Sequence, residues 1–226
     1  METYNSDVEQ EVLNNQQIQW ENSFTKRRDM FTAEASGPAQ KAAKMFCDER
    51  KTIVLELGAG QGRDTLFFAQ NGFKVHALDY SESGLSAIRK KAEDSGLSEL
   101  ILTKQHDVRH RLPFNDESFD ACYSHMLFCM ALTTVELEFL CSEVRRVLKP
   151  GGLNIYTVRH TGDAHYETGI HRGEDMYEVG GFIVHFFSKE KVEHLANGFK
   201  IESIDEFEEG GLPRKLFRIT QRKIGE

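Results

Sequence analysis

The sequence predicts an α/β fold on a mostly parallel sheet, and three observations carry that expectation. Ile53-Val54-Leu55-Glu56-Leu57 is an apolar run that passes straight into glycines at 58, 60 and 62, the pattern of a strand covered on both faces and ended by a turn. A second apolar run, Phe73 to Leu78, closes on Asp79, with a helical stretch starting near Arg63 between the two. The chain of 226 residues can bury one sizeable core, and single α/β domains commonly reach this length.

The other elements follow in order. After the break Ser36-Gly37-Pro38 a helix pattern reaches Glu49. A third strand, Leu100 to Gln105, is closed by His106-Asp107-Val108, and a fourth, Ala121 to Tyr123, ends on Ser124 and His125. Val135 to Leu148 is helical, with Leu137, Leu140, Cys141, Val144 and Leu148 on its apolar side. Leu148-Lys149-Pro150-Gly151-Gly152 reads as a turn into a fifth strand, Leu153 to Val158, because proline fixes φ and glycine supplies a left-handed step. Ser188 to Asn197 is a short helix resting on Val192 and Leu195; Phe199 to Phe207 and Leu216 to Gln221 are the last strands, joined through Glu208 to Pro213.

The turn after the first strand indicates the ligand. Gly58, Gly60 and Gly62 lack a Cβ, so the backbone there can take positive φ and approach a ligand closely, and the helix from Arg63 adds the positive end of its dipole. Asp79 stands about twenty residues after the first glycine, the spacing at which a strand-end acid grips two ribose hydroxyls. An adenosine-bearing cofactor satisfies both. A nicotinamide fold asks for G-x-G-x-x-G, whereas the order here is Gly58-x-Gly60-x-Gly62 with Glu56 two residues upstream.

That arrangement resembles motif I of the class I S-adenosylmethionine (SAM) methyltransferases, and Asp79, Asp107, Leu112-Pro113-Phe114, Phe119-Asp120 and Leu148 to Gly152 continue the resemblance over about residues 50 to 160. It implies a Rossmann-like sheet of seven strands, mostly parallel, with helices on both faces and an antiparallel last strand. The cofactor implied is SAM. Gly58, Gly60 and Gly62 would stand at its methionine end, Asp79 would hold its ribose, and Asp107 with the backbone N–H of Val108 its adenine; Glu56, Ala59, Arg63, Tyr80 and Ser124, at the end of the fourth strand, complete the cofactor-binding candidates. An acid such as Asp107 can also simply cap a turn. Gly60 to Thr65 and His185-Phe186-Phe187-Ser188 further resemble the tellurite-resistance and thiopurine methyltransferase group.

Two regions flank the core. Residues 1–49 form a helical appendage carrying Trp20, Phe24 and Phe31 with Arg27 and Arg28 between them; it serves either as a lid that excludes water or as a helix docked on the sheet. Residues 50–226 are the cofactor-binding domain, with an insert at 159–187 far longer than an ordinary α/β connection. The insert holds His160, His165, His171 and His185 with Tyr166 and Tyr177; Trp20, His160, His165, Tyr166, His171 and Tyr177 are the candidate substrate contacts. No pair of these histidines has helical zinc spacing and no cysteine stands near, so no metal is expected.

Composition narrows the partners. The formal charge of −8 and short basic runs such as Arg89-Lys90-Lys91 argue against nucleic acid. Apolar stretches are too short for a membrane span and residues 1–19 lack a signal-peptide core, so a cytoplasmic location is expected. Cys47, Cys122, Cys129 and Cys141 form no C-x-x-C pair and are expected as small packed hydrophobes. The resulting expectation is methyl transfer from SAM to a small molecule bearing a thiol, chalcogen or amine, with His125 as the candidate base for an amine or hydroxyl. His125 could equally be a strand-end histidine bonded to a neighbouring carbonyl. The alternative function is a non-catalytic SAM-binding sensor or docking module. The Asn/Asp-Pro-Pro-Tyr/Phe/Trp motif of adenine N6 enzymes is absent after the fourth strand. Oligomeric state is not legible.

Overall fold

The computed structural model describes residues 6–27, 30, 34–210 and 214–225. In chain order the elements are α1 (Ser6–Lys26), α2 (Gly37–Asp48), β1 (Ile53–Leu57), α3 (Arg63–Gln70), β2 (Lys74–Asp79), α4 (Glu82–Asp94), β3 (Ile101–Gln105), β4 (Phe119–His125), α5 (Thr134–Val147) and β5 (Leu148–Arg159). Then follow β6 (Ile170–His171), β7 (Met176–Val179), β8 (Phe182–His185), α6 (Lys189–Leu195), β9 (Phe199–Glu209) and β10 (Arg214–Lys223). Phe31, Arg28 and Gly211 to Pro213, named above, lie outside the described residues.

The seven-stranded sheet has the order β3-β2-β1-β4-β5-β10-β9. β1 pairs parallel with β2 and β4, β2 with β3 and β4 with β5, whereas β10 runs antiparallel to both β5 and β9. The mostly parallel sheet with an antiparallel last strand is therefore present as expected. From β1 the chain builds outward to β2 and β3, then crosses back to β4. The strand order thus reverses between β1 and β4, and at such a point the loops part and leave a crevice beyond the strands' carboxyl ends.

Alternation along each strand sets the two layers. Val54, Val75, Ala77, Ala121 and Ile155 bury one face beneath Phe46 of α2, Phe68 of α3 and Leu85 and Ile88 of α4. Leu55, Leu57, Cys122 and Tyr156 bury the other beneath Leu140 and Val144 of α5 and Val192 and Leu195 of α6. Caps fix where helices begin: the Ser36 hydroxyl accepts from Ala39 N at the start of α2, and Thr133 with Glu136 forms a capping box on α5. α1 belongs to neither layer; its Leu13 packs against Ala131, Met176 and Ile183. Among the described residues no helix is long and apolar enough to cross a membrane.

Three expectations need correction. β5 starts at Leu148 rather than Leu153, because the Pro150-Gly151-Gly152 turn is absorbed as an irregularity opposite Phe119 to Ala121. The insert is not an open loop; β6, β7 and β8 form a three-stranded antiparallel sheet within it. Cys122, Cys129 and Cys141 are buried, but Cys47 is exposed on α2.

Candidate cofactor and active site

A cleft of about 620 Å³ opens at the carboxyl ends of the strands, within the range of about 300–1,000 Å³ usual for small-molecule sites. Its floor is the glycine turn. Gly58, Gly60 and Gly62 have φ of 72°, 54° and 84°, and a Cβ on Gly58 would sit 2.9 Å from Leu127 Cβ. Gly84 performs a related task that the spacing did not reveal: a Cβ there would lie 2.6 Å from Gly60 O, so α4 approaches the turn only because residue 84 is glycine.

The N–H groups of Gly58, Ala59 and Gly60 are occupied within the protein. Gly58 N and Ala59 N donate to Leu78 O, at 2.9 and 3.1 Å, and Gly60 N donates to Asp79 Oδ2 at 2.8 Å. Asp79 Oδ1 accepts from Ser81 N at 2.8 Å. The turn therefore offers shape and proximity, while Asp79 keeps a second lone pair on each oxygen. Burial pushes its carboxyl up to about 6, against the lowering effect of the Ser81 and Gly60 hydrogen bonds.

Glu56 is the most deeply buried of the acids lining the cleft. It is 3% exposed and accepts one hydrogen bond, from Thr65 Oγ1 at 2.6 Å. Burial, with the nearby Asp64 charge second, pushes its carboxyl up to about 8. Asp64, which also lines the cleft, accepts from Ser36 N at 2.8 Å, Ser36 Oγ at 2.7 Å, Tyr123 OH at 3.1 Å and Arg63 Nε at 3.1 Å, joining α2, α3 and β4.

His125 on β4 also lines the cleft. Its Nδ1 is 3.0 Å from Thr157 Oγ1 and its Nε2 is 3.1 Å from Glu209 Oε2, the last residue of β9. The His125 bond, ahead of the opposing effect of burial, holds the Glu209 carboxyl below the ordinary glutamate value.

α1 crosses the cleft from above. Trp20 packs on Phe24 and Phe182, with ring centroids 5.5 and 4.7 Å apart. Glu21 accepts from Ser81 Oγ at 2.5 Å. Gln61, inside the glycine turn, donates to Arg27 O at 2.6 Å and accepts from Met30 N at 2.9 Å. The segment that follows α1 and the glycine turn are thus directly tied.

Of the residues singled out from sequence, Trp20, Glu56, Gly58, Ala59, Gly60, Arg63, Asp79, Tyr80, Val108, His125 and His165 line this cleft. Gly62 sits behind it as the cap of α3. Asp107 borders an adjoining cavity of about 30 Å³, its carboxylate held by Arg109 Nε at 3.0 Å and Nη2 at 2.6 Å. Ser124 is fully buried, and its hydroxyl makes no hydrogen bond among the described residues. Four insert candidates stand outside the cleft lining. His160 stacks on Phe217 at 4.4 Å, Tyr166 donates to Asp175 at 3.0 Å, His171 Nε2 lies 2.8 Å from Glu174 O, and Tyr177 packs against Tyr166. In their place the insert brings Arg159, Val179, Phe182 and Val184 to the wall, and the β9–β10 hairpin brings Glu209.

The SAM expectation can be tested on this chemistry. SAM carries an ammonium, a carboxylate, a sulfonium, a ribose diol and a flat base. The cleft sets Glu56 and Asp79 beside Arg63 and continues to Tyr80, Val108 and Leu127. A buried carboxyl with one partner, raised to about 8, is a group that a cationic ligand would ionise. The residues fit the cofactor.

The fold is that of the class I SAM-dependent methyltransferases, with the cleft where that fold places its cofactor. Residues 54–152, under half of the chain, match the family described as a methyltransferase domain. Among solved structures it is similar to 1,6-didemethyltoxoflavin-N1-methyltransferase of Burkholderia thailandensis, solved with 1,6-didemethyltoxoflavin and S-adenosylhomocysteine bound. The TM-score is 0.75 at 17% identity, over 100% of this chain and 93% of that one. A SAM-dependent methyltransferase of Methanosarcina mazei gives 0.69 at 22% identity, over 77% and 93%. Among curated relatives, demethylmenaquinone methyltransferase of Tropheryma whipplei is 37% identical over 111 residues, 49% of this chain and 43% of that protein. The biotin biosynthesis bifunctional protein of Teredinibacter turnerae is 34% identical over 106 residues, 44% of this chain and 18% of that protein. The chain thus spans less than half the length of these curated relatives.

Proposed function

We propose that this chain transfers the methyl group of SAM to a small organic acceptor with an apolar body. One observation carries the reading: a single cleft joins the glycine turn to His125 and to side chains of the insert, under the cover of α1. A flat, open apolar face beside the turn would instead have favoured a docking module. Trp20, Phe24, Leu127, Met130, Phe182 and Val184 make most of the far wall apolar, which supports a carbon-rich acceptor over a bare inorganic oxyanion. Trp20 and His165 are the sequence candidates retained as acceptor contacts.

When bound, SAM supplies an electrophilic methyl group on a positively charged sulfur. Glu56 would neutralise its ammonium and Arg63 would meet its carboxylate; Asp79 would accept from the ribose hydroxyls, and Tyr80 with Val108 would flank the base. Asp107 contacts the adenine edge only if Arg109 yields one of its two bonds. The acceptor's reacting group lies at the His125–Glu209 pair. Alignment of nucleophile, methyl carbon and leaving sulfur accounts for roughly 7–11 kcal/mol of the barrier. α1 and the insert exclude water that would compete for the methyl group.

The purified chain is incubated with SAM and a panel of phenols, azoles, amines and thiols, and S-adenosylhomocysteine formation is followed. Acceptor-dependent turnover with one class supports the reading. Saturable SAM binding with no turnover across all four classes would favour the sensor instead.

A further inference from the structure

We propose that Glu209, rather than His125, receives the proton of the acceptor, and that His125 with Thr157 is the device that aims it. The inference rests on the methyl-transfer reading and goes past it in assigning the base, and with it an acceptor whose reacting group is a neutral N–H or O–H.

The argument is a count of lone pairs and protons. Thr157 Oγ1 lies 3.0 Å from Met126 N and accepts its proton. The Thr157 hydroxyl proton then has one acceptor among the hydrogen bonds of the described residues, His125 Nδ1 at 3.0 Å. A neutral imidazole has one lone pair and one N–H. With Nδ1 accepting, the proton stands on Nε2 and points at Glu209 Oε2, 3.1 Å away. His125 is left with no lone pair for an incoming proton. Glu209 has one to spare on Oε1, whose near neighbour is the Arg63 guanidinium at 4.0 Å, beyond hydrogen-bond length.

Placement agrees with that count. Thr157 is completely buried on β5, so the Nδ1 side of the ring faces the protein. Glu209 lines the cleft and is 27% exposed at its side chain. The pairing Arg214↔Glu209 at the end of the β9–β10 ladder fixes its backbone. Arg63 and Arg214 keep the surroundings of Glu209 cationic, which disfavours an ammonium acceptor and suits a neutral one. In the step, the acceptor's N or O forms the bond to the methyl carbon. The carbon–sulfur bond breaks with its electron pair passing to sulfur, and the N–H or O–H proton moves to Glu209 Oε1. One cation and one carboxylate become a neutral thioether and a neutral carboxylic acid, so charge balances.

The test begins on the ligand-free full chain, labelled with ¹⁵N-histidine. A multiple-bond ¹H–¹⁵N spectrum at pH 7.5, with the His125 signals identified by their loss in His125→Gln, should show protonated Nε2 and bare Nδ1. Thr157→Val should abolish that single tautomer. Protonation at Nδ1, or a tautomer indifferent to Thr157→Val, would overturn the proposal. By calorimetry Glu209→Gln should hold SAM within about twofold of wild type, and a loss of about tenfold or more would instead make Glu209 a cofactor ligand and sink the assignment. Failure of wild type to bind SAM would refute the functional reading while leaving the tautomer result standing. In transfer to catechol and benzimidazole as probe acceptors, Glu209→Gln should lose about 100-fold in kcat. A greater loss in His125→Gln than in Glu209→Gln would return the role of base to His125.

Discussion

Replacing Glu56 with glutamine separates what this carboxyl costs the empty protein from what it gives the cofactor. In the folded chain burial raises Glu56 to about 8, from 4.5 when solvated. Folding therefore favours its protonated form, so the stabilising linkage is complete below about 4.5 and is lost as pH rises through about 8. From those two values the loss is under about 1 kcal/mol at pH 5, about 3 kcal/mol at pH 7 and about 4–5 kcal/mol at pH 8.5. Glutamine keeps the shape and an oxygen to accept from Thr65 Oγ1, now 2.6 Å from the carboxylate, but does not titrate. Urea unfolding of both proteins should give nearly equal stability at pH 5 and an advantage for Glu56→Gln of about 3 kcal/mol at pH 7. SAM binding should move the other way, the variant losing about tenfold or more with its partner for the ammonium. Parallel stability curves across this pH range would refute the reasoning, since Glu56 would then titrate alike folded and unfolded.

Three further outcomes are expected. Because ribose hydroxyls favour the ionised form of Asp79, raised to about 6 by burial in the empty protein, SAM affinity should fall as pH drops through about 6, and calorimetry in buffers of different ionisation heat should show proton release near that pH. Gln61→Ala removes the side chain that holds Arg27 O and Met30 N; amide exchange in the last turn of α1 should quicken while β1 and β4 stay protected, and uniform protection would contradict the tie between the segment that follows α1 and the glycine turn. Arg146 donates to Phe114 O and Leu112 O, at 2.8 and 3.0 Å, and pairs with Glu143 and Asp116 at 2.6 and 2.8 Å; Arg146→Ala should cost about 2–4 kcal/mol in urea unfolding.

The central sheet is legible in the sequence because β1 and the middles of β2 and β4 are buried on both faces and read as mainly apolar stretches, Ile53 to Leu57, Val75 to Leu78 and Ala121 to Tyr123. The glycines and Asp79 are legible for a related reason: strand ends place residues about twenty apart on one rim. Contacts set by long-range packing are not. Glu209 meets His125 across 84 positions in the chain, and a glutamate near a Gly-Gly pair carries no local mark of that meeting. In the insert, β6 has two residues and β7 four, too few for alternation to be seen. Its histidines attracted the substrate assignment by chemistry, but His160 and His171 are occupied by Phe217 and by Glu174 O, while Phe182 and Val184 reach the cleft. The interrupted start of β5 reads as a turn because Pro150, Gly151 and Gly152 are turn residues wherever they stand, and the pairing of Leu148 with Phe119 shows only in three dimensions.

The central claim is that the cleft between the glycine turn, Asp79 and α1 is a SAM site. Titration calorimetry of the purified chain with SAM and S-adenosylhomocysteine, beside NADH and beside Asp79→Ala, tests it most directly. Saturable binding of the two sulfur nucleosides by wild type, no binding of NADH, and an affinity about tenfold or more weaker in a folded Asp79→Ala are predicted. Binding of NADH, or undiminished affinity in the variant, would contradict it.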